Sequence, residues 1–86
     1  MESPGGRTLA VEILAPQAAR WSGRARHVVV PATTGSLGIL PGRAPVVAVL
    51  APGTVRVQDL DGDWHALEIG GGFVTVTGGT VEVLDG

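Results

Sequence analysis

Fourteen glycines and six prolines punctuate this chain of 86 residues, and short runs rich in Val, Ile, Leu and Thr lie between them. Such punctuation breaks long helices, because inside one glycine costs about 1 kcal/mol and proline about 3 kcal/mol relative to alanine. It suits many short strands joined by turns. No long segment carries apolar residues at the helical period, so a helical bundle is excluded and an all-β domain is expected. Hydrophobic residues make up 44% of the chain and mean hydropathy is +0.33, well away from a disordered composition. The length allows one domain with a thin core.

Residues 1–7 read as a loose tail and residues 8–86 as a single domain. Leu9, Val11 and Ile13 alternate with Ala10, Glu12 and Leu14, a strand with one apolar face that ends at Pro16. A second strand pattern covers Arg20 to Val30, with a strand end or bulge at Trp21-Ser22-Gly23 and a stop at Pro31. From Ala32 to Pro45 the Gly and Pro content predicts a shaped loop with short extended pieces near Leu37 and Ile39-Leu40. Val46 to Leu50 is continuously apolar, which predicts a strand buried on both sides. Asp61-Gly62 predicts a type I′ hairpin between Val55-Val57 and Trp64-Ile69, and Gly78-Gly79 a second between Phe73-Thr77 and Thr80-Leu84. Gly70-Gly71-Gly72 reads as a tight connection or bulge. The pattern as a whole predicts an antiparallel sandwich or closed barrel of roughly eight to ten short strands.

Absent residue types narrow the chemistry. The chain has no Cys, Lys, Tyr or Asn, which excludes a thiolate nucleophile, a cysteine metal site, a Schiff-base lysine and a P-loop lysine. Six Arg against eight Asp plus Glu give a net charge of -2, so no general attraction to nucleic acid or anionic lipid is expected. The apolar run from Ala44 to Ala51 is far shorter than the ~20 residues of a membrane helix, and no signal peptide is evident. Asp59, Asp61 and Asp63 alternate like the start of a calcium loop, but Trp64 stands where the turn glycine belongs and Gly70 where the last acid belongs. Thr34 to Gly38 nearly forms a nucleophile elbow, yet Thr34 replaces the leading glycine and no helix follows. His27 and His65 are the available bases, each in a strand pattern. Arg20, Arg24 and Arg26 read as a solvated strand face. No catalytic residue, cofactor or metal is assigned.

The segment Gly35-Ser36-Leu37-Gly38-Ile39-Leu40-Pro41-Gly42-Arg43-Ala44-Pro45-Val46 resembles the signature loop of the F-type ATP synthase epsilon subunit. Other matches follow in register: Leu9 to Pro16, Trp21-Ser22-Gly23, His27 to Pro31, Pro52 to Val57, Gly71 to Val74 and Thr80 to Leu84. The resemblance covers Thr8 to Leu84.

It implies a β-sandwich of two roughly five-stranded sheets and no bond chemistry of the chain's own. It also implies a rotor subunit at the foot of the central stalk, packed on the gamma subunit and on the membrane rotor ring of c subunits, helping couple ion flow to ATP synthesis. The expected location is the cytoplasmic face of a bacterial plasma membrane that the chain does not enter. By resemblance, the ring-facing residues are Thr34, Gly35, Ser36, Leu37 and Gly38, with Arg43 in the same interface. Ser36 stands where the family commonly has an acid and Arg43 where it commonly has His. Most family members continue into a helical hairpin that inhibits hydrolysis. This sequence ends at Gly86, so the inhibitory and nucleotide-sensing roles, ATP binding among them, are not expected here. A detached subunit is expected to expose a contiguous apolar patch and to self-associate. The alternative, a free-standing β-barrel or sandwich that binds a ligand or protein, predicts a concave apolar pocket. A metal-assisted enzyme at the Asp59 to His65 turn is the remaining reading.

Overall fold

The computed structural model describes residues 7–42 and 45–86. Eight strands follow in chain order: β1 (Leu9–Ala15), β2 (Ala18–Ala32), β3 (Gly35–Ile39), β4 (Val46–Leu50), β5 (Gly53–Asp59), β6 (Trp64–Ile69), β7 (Gly72–Thr77) and β8 (Thr80–Asp85). Their pairings form two sheets that share β2. In the first, β4, β7, β8 and β1 lie side by side and the first half of β2 pairs with β1. In the second, the later part of β2 lies between β3 and β5, and β5 pairs with β6. A register slip between Ala25 and His27 marks where β2 passes from one sheet to the other, as bulges do at sandwich corners. The arrangement agrees with the expected all-β sandwich of two roughly five-stranded sheets.

Alternation builds the core. Leu9, Val11 and Ile13 of β1, Val74 and Val76 of β7, and Val81 and Val83 of β8 point inward from the first sheet. Val28 and Val30 of β2, Ile39 of β3, and Val55 and Val57 of β5 meet them from the second, in one contiguous cluster. Small β-branched side chains fit a pleated surface and fill a thin sandwich without large rings. No polar side chain is buried among the described residues.

Four local expectations are corrected. First, β2 does not end at Trp21-Ser22-Gly23 or Pro31 but runs for 15 residues, and its irregularity against β1 falls just before Trp21, where Arg20 is the extra residue between the Ile13–Trp21 and Leu14–Ala19 pairs. Gly23 is paired with Val11, and a Cβ there would lie 3.2 Å from the Trp21 ring, so the glycine leaves room for the indole. Second, β1 and β8 pair in parallel. They are the first and last strands, so no hairpin dictates their relative direction. Third, β4 is half exposed rather than buried on both sides, with Val47 76% and Val49 64% exposed. Fourth, the β5–β6 turn is not type I′, which needs positive φ at both central residues. Only Gly62 has positive φ there, and its amide closes a turn on the Asp59 carbonyl at 3.1 Å. The Gly78-Gly79 turn does show the expected form, with φ of 56° and 84° and Thr77 opposite Thr80.

Candidate functional site

The residues expected to face a partner fall on the β2–β3 hairpin. Ala32 pairs with Gly35, and Thr33 and Thr34 form the tip. The Thr33 amide donates to the Val49 carbonyl at 2.9 Å, and the Ala51 amide to the Pro31 carbonyl at 2.8 Å, which ties the hairpin to the end of β4. Gly35 at the bend has φ of 124°, a conformation that favours glycine. Thr34, Gly35, Ser36 and Gly38 are exposed, while Leu37 is half-buried and packs on the core. The Leu37 side chain therefore holds β3 on the sandwich, and its neighbours present a small, polar, glycine-rich edge. β3, five residues and about 13 Å long at 3.3 Å per step, together with Leu40 lies between the tip and Pro41-Gly42. Arg43, the remaining residue of the set, lies outside the described residues. Ser36 sits in an extended strand opposite Pro31, with no elbow geometry.

Sequence reasoning expects an exposed apolar patch but does not name the residues of the second feature, an apolar row on the solvent face of the first sheet. Val49 is opposite Phe73, Phe73 opposite Leu84, and Leu84 opposite Leu14, so four adjacent strands contribute one residue each. Val47 extends the row along β4. Phe73 is 44% exposed, and Leu84 and Leu14 are half-buried. The available signal was the uninterrupted apolar run of β4, which reads equally as burial on both faces or as one face awaiting a partner.

The acidic turn is organised from within. Asp59 Oδ1 accepts from the amides of Asp61 at 2.9 Å and Asp63 at 3.0 Å, and His65 Nε2 donates to Asp59 Oδ2 at 2.7 Å. The His65 hydrogen bond above all, helped by the two amides, holds the Asp59 carboxyl below its ordinary value of 3.8. The carboxylates of Asp59, Asp61 and Asp63 lie within 4.8 Å of one another, and both Asp59 oxygens serve the hairpin. The two histidines are not brought together. His65 lies beside Trp21 with ring centres 6.0 Å apart, and His27 meets Trp64 edge-on at 5.4 Å.

Fold and exposed surfaces together invite comparison with known proteins. The family model described as ATP synthase, Delta/Epsilon chain, beta-sandwich domain matches residues 8–85. The chain belongs to this family. The delta/epsilon relative from Synechococcus elongatus, an ATP synthase epsilon chain, is 43% identical over 77 residues, covering 90% of this chain and 56% of the relative. The epsilon chain of Bordetella avium is 39% identical over 77 residues, covering 90% of this chain and 55% of its own length. The chain thus spans a little over half the length of these curated relatives. A chain in the Euglena gracilis mitochondrial ATP synthase structure, described as OSCP/F1/c-ring in rotational state 1, superposes with a TM-score of 0.87. That match has 22% identity and covers 99% of this chain and 57% of the other, a likeness of fold. Among the described residues no helix is long and apolar enough to cross a membrane.

Proposed function

We propose that this domain acts as a non-catalytic rotor subunit of an F-type ATP synthase, bound to the gamma subunit and the c-subunit ring on the cytoplasmic side of the membrane. The row of Val47, Val49, Phe73, Leu84 and Leu14 carries the reading, because a monomer gains nothing by leaving Val47, Val49 and Phe73 in water beside two half-buried leucines. In this reading the row is the gamma-facing surface and the Thr34 to Gly38 hairpin edge meets the ring. The side-chain chemistry is consistent with it: the chain lacks Cys, Lys and Tyr, and each histidine is engaged with Asp59 or an indole. A ligand-binding module gains less support, since two surface clefts of about 340 Å³ are open to solvent and neither is a concave apolar pocket: one is lined by Gly, Pro, Thr and Arg, the other by Ala10, Val11 and Glu12 with Ser22, Gly23, Arg24 and Thr80.

The test is titration of the cognate gamma subunit with the purified chain by calorimetry. Val47 and Val49 are exposed, so Val47→Glu and Val49→Glu should leave the fold intact. Each should weaken gamma binding at least about a hundredfold, since a charge would be buried unpaired. Unchanged affinity in both variants would refute this placement of gamma. The ring contact is read separately: the chain has no Cys, so Ser36→Cys supplies a unique thiol that should cross-link to a c subunit.

A further inference from the structure

A cleft of about 340 Å³ lies between Arg7-Thr8 ahead of β1, Arg24 in the first half of β2, Pro41-Gly42 after β3 and the β7–β8 turn. Its walls include Arg7, Thr8, Arg24, Gly42 and the Gly78-Gly79 turn, and none of the described residues lining it is acidic. That local balance contrasts with a net charge of -2 for the whole chain. Arg24 is held in place, with Nε and Nη2 donating to Thr8 Oγ1 at 2.9 and 2.6 Å. Two donors on one hydroxyl oxygen occupy its lone pairs, which leaves the Thr8 O–H free to donate. They also spend two of the five guanidinium N–H groups and leave the rest for a ligand. Arg7 lies beside Gly42, where an added Cβ would come within 3.0 Å of Arg7 Nη1. Gly42, with φ of 86°, keeps that approach open.

We infer that this cleft binds a phosphate group, held by Arg7 and Arg24 with the Thr8 hydroxyl as a further donor. Donors arriving from separate chain segments suit a tetrahedral oxyanion better than the single plane of a carboxylate, and the forked donors of the held Arg24 favour phosphate over chloride. The volume sits at the lower end of small-ligand sites, about 300–1,000 Å³, room for a phosphate with a small organic group. The inference does not depend on the rotor reading.

The test is NMR titration of the full chain with inorganic phosphate at constant ionic strength. Saturable shifts are expected at the Arg7 and Arg24 Nε–H groups and at the Gly42, Gly78 and Gly79 amides. Arg7→Gln and Arg24→Gln should each weaken the affinity about tenfold, the loss of one charge-assisted contact, while Arg26→Gln, an exposed arginine outside the cleft, leaves it unchanged. Arg7 makes no strand pairing, so its variant keeps the test decisive if Arg24→Gln fails to fold. Co-sedimentation with vesicles of equal parts phosphatidylglycerol and phosphatidylcholine identifies the source. Vesicle binding reversed by phosphate means a lipid headgroup, and phosphate binding without vesicle binding means a free phosphate. Shifts that do not saturate, or that persist equally in both cleft variants, overturn the inference.

Discussion

Gly72 begins β7 with φ of 132°, and a Cβ built there would lie 1.8 Å from the Leu84 carbonyl oxygen and 2.9 Å from its carbon. Both atoms are backbone of the neighbouring strand, so no side-chain rotation relieves the overlap. For Gly72→Ala the disfavoured φ costs about 1–3 kcal/mol, and forcing β7 and β8 apart costs about 1–3 kcal/mol more. The sum, about 4 kcal/mol, is a large share of the roughly 4–13 kcal/mol expected for a domain of 86 residues. At about 4–8 °C per kcal/mol for this size class, the melting temperature should fall by about 15–30 °C. Gly35→Ala is the matched control, because Gly35 has φ of 124° but nothing lies within 4 Å of its Cβ position. It should show the conformational cost alone. Thermal and urea unfolding followed by circular dichroism measure both. If Gly72→Ala loses no more than Gly35→Ala, the close approach of β7 to β8 does not govern that site and the reasoning is refuted.

Asp59 titrates below its ordinary value in the folded chain, so the stability it contributes is fully present above about pH 4 and is lost as pH falls through the depressed folded value. Urea midpoints of Asp59→Asn should therefore fall less than wild type on acidification from about pH 5 to 2, and identical slopes would contradict the His65 and amide contacts. Arg20 pairs with Asp85 at 2.9 Å and also donates to the Glu68 carbonyl. Both partners are partly exposed, so Arg20→Ala should cost less than about 1 kcal/mol, and the loss should shrink with added salt.

Periodicity was enough for the elements whose two faces differ. Leu9, Val11 and Ile13 are buried as their alternation predicts, and Gly78-Gly79 forms its I′ turn because both glycines accept positive φ. The Asp61-Gly62 pair failed the same rule, since the Asp59 carboxylate caps the amides of Asp61 and Asp63 and pulls the loop into a different turn. Side-chain capping of that kind is invisible to a dipeptide signal. The parallel pairing of β1 with β8 is set by strands at opposite ends of the chain, beyond any local window. At the candidate site, Thr34 to Gly38 was legible only through the resemblance of its motif, because glycine and serine on a strand edge carry no chemistry of their own. The Val49-Phe73-Leu84-Leu14 row needed the cross-strand register to bring residues from four strands together. Val47 and Val49 alone look like core.

Rebuilding the ATP synthase with this chain as its only epsilon-type subunit, and measuring gradient-driven ATP synthesis, tests the rotor reading most directly. The expected result is a chain retained on gamma and restored coupling, both lost with Val49→Glu. Absence of binding and of coupling, under conditions where a full-length epsilon chain restores them, would contradict it.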